Sequence, residues 1–207
     1  MQAKPLINLY GRYEIRSHSL TERFSAKLPA NPEESRICEP IHQYGRAYLV
    51  VRLQQLWGEF CRELIVRSAI GGCLTRTSQM LPGAPGVKRV SDILKVINLK
   101  ELGSPAARWE EPSFAIDQAL RLRVANFNGI DLGLGQASTV AGYVKIIRNY
   151  IVHPNSHTSN RYTSMTRTLG FRGLSPDQLL SQSVPGSNSV FENWLSTLTL
   201  AAWNAVA

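Results

Sequence analysis

The chain has no uninterrupted apolar run of about 18 residues, the length a membrane-crossing helix needs, so no membrane partner is expected. Cysteine is scarce: only Cys38, Cys61 and Cys73 are present. An odd number without a Cys-x-x-Cys pair supports neither a disulfide framework nor a zinc site, and points to a reducing, cytoplasmic compartment. The opening segment MQAKPLINLYGRYEIR lacks the long apolar stretch of a secretory leader. His18 and His42 stand apart from any ligand-spaced neighbour, so neither a metal nor a cofactor is expected. Gly133-Leu134-Gly135 has no strand before it and no Gly-Lys-Ser/Thr ending, which excludes a phosphate loop. No serine sits in a nucleophile elbow.

Acidic residues are missing from two long stretches. None lies between Asp131 and Asp177, a segment that holds Lys145, Arg148, Arg161, Arg167, Arg172, His153 and His157. None lies between Glu63 and Asp92, where Arg67, Arg76, Lys88 and Arg89 occur. With a net charge of +8, these stretches favour a polyanionic partner bound through counterion release. The competing reading is a solvated basic surface.

What is present is a core-forming composition. Hydrophobic residues make up 43% of 207 residues, which suits one domain. We take residues 1–207 as a single helical domain with its core over about 43–206 and residues 1–42 as an N-terminal extension. Within that extension, 4–27 reads as a helix and 28–41 as a Pro-rich loop. Over 43–70, Leu49, Val50, Leu53, Leu56, Trp57, Phe60, Cys61 and Leu64 form one apolar stripe, ended by Gly71-Gly72. Residues 74–87 read as a loop and about 90–99 as a short helix. A helix follows over 113–125, then a turn region over 126–135 around Asn128-Gly129. Residues 136–153 make the second strong helix, stopped by Pro154. The polar run 154–173 reads as a loop or irregular arm, 175–182 as a short helix, and 189–206 as a last helix capped by Ser189 and Glu192. No run of alternating strands occurs, so the fold class is all-α, a helical bundle with long loops.

One residue breaks the apolar pattern. Arg148 falls within the stripe of Ala137, Val140, Ala141, Val144, Ile147 and Ile151. An unpaired guanidinium is too costly to bury. Either Arg148 meets a carboxylate, for which Glu59 and Glu63 on the other strong helix are placed, or its stripe faces a cleft or another subunit. His153 follows at the helix end, and histidine exchanges protons near neutral pH. Its plainer role is a cap that meets the helix dipole. Asn149 adds a neutral hydrogen-bonding group beside Arg148. Lys145, Tyr150, Arg161 and Tyr162 are candidates to grip or stack on single-stranded RNA, with core burial the alternative for Tyr150.

The segment Arg148-Asn149-Tyr150-Ile151-Val152-His153 resembles the Arg-x4–6-His signature of the HEPN superfamily. The stretch WGEFCREL from Trp57 is similar to the earlier helix of its RiboL-PSP group, and the likeness covers roughly 43–155. This resemblance implies a metal-independent endoribonuclease acting as a homodimer, a toxin or antiviral effector restrained by an antitoxin or regulatory partner. His153 would be its general base or acid, Arg148 its transition-state cation, and Asn149 a positioning group. Attack by the 2′-OH would leave a 2′,3′-cyclic phosphate and spare DNA. Some HEPN toxins carry a tyrosine two residues after the histidine, where Asn155 stands here. On a straight helix Arg148 and His153 point about 140° apart, so two copies related by a two-fold axis would complete the site. The rival reading is a HEPN-like module that binds RNA or protein in a larger assembly and cuts nothing.

Overall fold

The computed structural model describes residues 5–26, 32–104 and 107–207. Cys38, His42 and the 28–31 part of the expected loop lie outside the residues or side chains described. The helices are α1 (Ile7–Ala26), α2 (Pro32–Ile70), α3 (Val90–Ile97), α4 (Pro112–Leu122), α5 (Phe127–Val152), α6 (Ser156–Thr168), α7 (Pro176–Leu180) and α8 (Val190–Ala205). A minimal antiparallel hairpin, β1 (Cys73–Leu74) with β2 (Met80–Leu81), overlaps the segment 74–87 expected to be a loop. The fold is all-α. Among the described residues no helix is long and apolar enough to cross a membrane.

Three segments expected to lack structure are helical. The backbone of α2 begins at Pro32, well inside the expected 28–41 loop. Proline at a first helical position gives up no hydrogen bond, because that N–H has no intrahelical partner anyway. The expected turn over 126–135 is the first part of α5. Its glycines act as contact surface: a Cβ on Gly133 would stand 2.4 Å from the backbone nitrogen of Ala205 and 2.7 Å from the carbonyl oxygen of Ala201. Ala201, Ala202 and Ala205 are all fully buried on α8, so small residues on both sides let two backbones approach. The expected polar arm over 154–173 contains α6. Asn155 opens it with a reciprocal cap: Thr158 N–H donates to Asn155 Oδ1 at 2.9 Å, and Asn155 N–H donates to Thr158 Oγ1 at 3.0 Å. Tyr162, Met165 and Thr166 give this polar helix a narrow buried face.

The N-terminal helix is part of the core rather than an extension to it. Leu6, Leu9, Tyr13, Leu20 and Phe24 are buried in the same cluster as Trp57, Phe60 and Phe191. The rings of Phe24 and Phe191 stack at 4.6 Å, tying α1 to α8. Tyr13 and Phe60 meet at 5.1 Å, tying α1 to α2. The chain leaves α2 through Gly71, whose φ of +74° and 2.2 Å clearance from the Gly83 backbone admit only glycine.

Candidate functional site: a cationic groove beside the end of α5

Between α2, the segment leading into α4, and the C-terminal half of α5 lies an open groove of about 570 Å³. Gln54, Gln55, Gly58, Glu59 and Arg62 line it from α2. Leu102, Ser104, Trp109 and Glu110 line a second wall, and Lys145, Arg148 and Asn149 come from α5. That second wall is fixed by Trp109, which is buried and donates from Nε1 to the Leu102 carbonyl at 2.9 Å. Gly58 faces that wall, where a Cβ would stand 3.4 Å from the Glu110 backbone nitrogen, in van der Waals contact.

Arg148 is half-buried on α5, beside the buried Ile147 and one turn from the buried Val144. The expected carboxylates do not meet it. Glu59 pairs with Arg16 at 2.7 Å, and Glu63 pairs with Arg12 at 2.6 Å and Arg67 at 3.0 Å. Helix α1 supplies two of those arginines, which an isolated reading of α2 and α5 cannot anticipate. Arg148 Nη1 instead donates to Asn149 Oδ1 at 3.0 Å, and among the described residues it forms no ion pair. Of the alternatives for this residue, the cleft is the one found.

The groove's charges do not all cancel within it. Lys145 is bound to Glu111, outside the lining, and Glu59 is held by Arg16. Among the described residues Arg62 and Arg148 are then set against Glu110 alone, so cationic character remains. Arg62, Gln54 and Glu110 carry no motif and were not anticipated. The signal available was helical spacing: Arg62 lies four residues after Gly58, on the groove side of α2.

His153 caps α5 and is exposed, and it does not line the groove. Its backbone is held firmly all the same. The His153 carbonyl accepts from Asn155 Nδ2 at 3.1 Å and Thr158 Oγ1 at 2.9 Å. The corner between α5 and α6 thus fixes where the imidazole is anchored and leaves the ring in solvent. The cap of α6 uses Asn155 itself, which gives that position a structural task. Tyr150 is half-buried and stacks on Tyr162, so one ring face is taken by packing. Arg161 and His157 are exposed on α6. His18 faces Glu22 on α1 at 3.4 Å. Cys61 and Cys73 are free and buried, and burial pushes both thiols above their ordinary pKa.

The fold and site therefore define an all-α protein with a cationic groove and an exposed histidine at one helix corner. No protein family, no curated protein and no solved structure matches this chain.

Proposed function

We propose that the protein is an RNA-directed, HEPN-type endoribonuclease that works as a homodimer. The observation that carries this reading is Arg148: a guanidinium held half-buried at an open groove, with no carboxylate bound to it among the described residues. Such a cation suits the oxygens of a phosphodiester, which a planar guanidinium binds in bidentate fashion. The absence of acids from Asp131 to Asp177 lowers the local repulsion of a polyanion.

In the proposed reaction His153 removes the proton of the ribose 2′-OH. The oxygen attacks the adjacent phosphorus, and the bond to the 5′-oxygen breaks. The leaving 5′-oxygen takes up a proton, given back by the protonated imidazole directly or through water, and a 2′,3′-cyclic phosphate remains. Arg148 offsets the charge that builds on the phosphoryl oxygens, and Asn149 holds the guanidinium through its Oδ1. This chemistry calls on no metal. A second copy is part of the proposal because His153 stands outside its own chain's groove. Its resemblance-based role is a toxin or defence effector in the cytoplasm, restrained by an antitoxin or regulatory protein.

The test is cleavage of total RNA in EDTA by wild type and by His153→Ala. Activity that survives EDTA and disappears in the variant supports the reading. RNA binding without cleavage in either protein overturns it in favour of a non-catalytic RNA-binding bundle, the alternative favoured by the exposed position of His153 outside the groove lining.

A further inference from the structure

The end of α6 carries a second cationic feature outside the groove. Thr163, Thr166, Arg167, Arg172 and Gly173 line a recess of about 320 Å³. The chain is folded back to make it. Gly170 and Gly173 have φ of +81° and +69°, conformations open to glycine at little cost. Together they return Arg172 to the side of Arg167. The return is pinned at both ends, by Phe171 N–H donating to the Thr166 carbonyl at 2.8 Å and by Tyr162 Oη donating to the Leu174 carbonyl at 3.0 Å.

Both arginines are exposed, and among the described residues neither is in an ion pair. Among the described residues no carboxylate lines the recess. Two like charges lining one recess repel, and an anion bound in it removes that cost. The rest of the exposed α6 surface has matching chemistry. His157, Asn160, Arg161 and Ser164 face solvent ahead of Arg167, along about 15 Å of helix. The two large apolar side chains of α6, Tyr162 and Met165, are buried. A membrane-surface helix needs an exposed apolar face, and this one has none.

We propose that Arg167 and Arg172 form a phosphate subsite for the backbone of single-stranded RNA, with the exposed strip of α6 as its continuation. The proposal rests on the RNA-directed reading above and names a part of the binding surface that the groove does not supply. The contacts are to phosphate and ribose, so the subsite is indifferent to base sequence.

The test measures binding of a labelled oligouridine by fluorescence anisotropy across a potassium chloride series. The proteins are wild type, Arg167→Gln/Arg172→Gln, and a charge-matched control, Lys100→Gln/Arg121→Gln, with circular dichroism to confirm folding. Losing two phosphate contacts should weaken binding about tenfold and make the slope of log K against log salt shallower by about 1.4. The control should bind as wild type does. Equal losses in both variants would show that net charge alone matters and overturn the subsite, as would wild-type behaviour in the Arg167/Arg172 variant. Wild type that binds no RNA overturns the subsite together with the RNA-directed reading. RNA bound through Arg167 and Arg172 but never cleaved leaves the subsite standing and removes the nuclease.

Discussion

The rings of Tyr150 and Tyr162 stack with centroids 4.6 Å apart and planes 16° from parallel. This contact joins α5 to α6 directly behind the corner that anchors His153. Tyr162 is buried and bonds the Leu174 carbonyl, so one residue ties α5, α6 and the following turn. Tyr162→Ala is expected to destabilise the protein by about 3 kcal/mol, lowering Tm by roughly 6–12 °C in a chain of this size. Tyr162→Phe keeps the stack and should cost only about 1 kcal/mol for the lost hydrogen bond. Thermal unfolding of both variants checks this, and equal losses would mean the stack contributes nothing.

Glycines in α5 should respond in opposite directions. A Cβ on Gly133 collides with the α8 backbone, whereas nothing lies within 4 Å of one on Gly135. Gly133→Ala is expected to lose about 2 kcal/mol or more through overpacking. Gly135→Ala should gain about 0.5–1 kcal/mol from helix propensity. Urea unfolding midpoints would show the contrast, and two variants of the same sign would contradict the packing described.

Neighbouring cations of the groove have different tasks. Lys145 is bound to Glu111 at the start of α4, with both side chains partly buried. Lys145→Ala should cost about 1 kcal/mol of stability. Arg148→Ala should leave Tm within about 2 °C of wild type, because among the described residues its guanidinium bonds only its neighbour Asn149. It should abolish RNA cleavage. A parallel assay of melting and RNA turnover separates the two, and an Arg148→Ala protein that fails to fold would mark the arginine as structural.

Cleavage should depend on self-association. If His153 of one copy serves the groove of another, activity per chain rises with protein concentration through the dimer dissociation range. Sedimentation and RNA turnover measured on the same dilution series test this. Full activity in a monomeric sample would rule out a shared site.

Alkaline pH should unfold the protein through its tyrosines. Burial pushes the Tyr13 and Tyr162 hydroxyls well up, and burial together with the bond to Glu14 takes Tyr10 up to about 12. A raised folded-state pKa contributes stability that is complete below the unfolded value of about 10 and is lost as pH rises through the folded value. Stability should therefore be flat in these groups up to about pH 9 and fall beyond it. Ultraviolet titration of tyrosinate would detect delayed ionisation, and a single transition at the unfolded value would count against the buried hydroxyls. At the acid end, Asp92 accepts from the backbone N–H of Lys88 and Arg89, which lowers its pKa. That contribution, by contrast, is present at neutral pH and lost as pH falls.

The all-α class was legible because amphipathic spacing is a local property. Leu53, Trp57, Phe60 and Leu64 repeat at helical intervals whatever they pack against, and Ser189 announces α8 by accepting from Glu192 N–H at 3.1 Å. The glycines of α5 and the polar run of α6 misled for a shared reason. Glycine and Ser/Thr/Asn lower helix propensity, but the close α5–α8 contact and the three buried residues of α6 outweigh it. Neither effect is visible until the partner helix is in place.

The order of residues alone determined that Arg148 interrupts an apolar face and that His153 ends its helix, since both follow from 3.6 residues per turn and from Pro154. Only the tertiary structure decided what surrounds them. Arg12 and Arg16 on α1 take Glu63 and Glu59 away from Arg148, and the segment carrying Trp109 and Glu110 closes a groove against it. Ion-pair choice depends on which charges come within a few ångströms, and residues about fifty positions apart in the chain acquire that proximity only by folding.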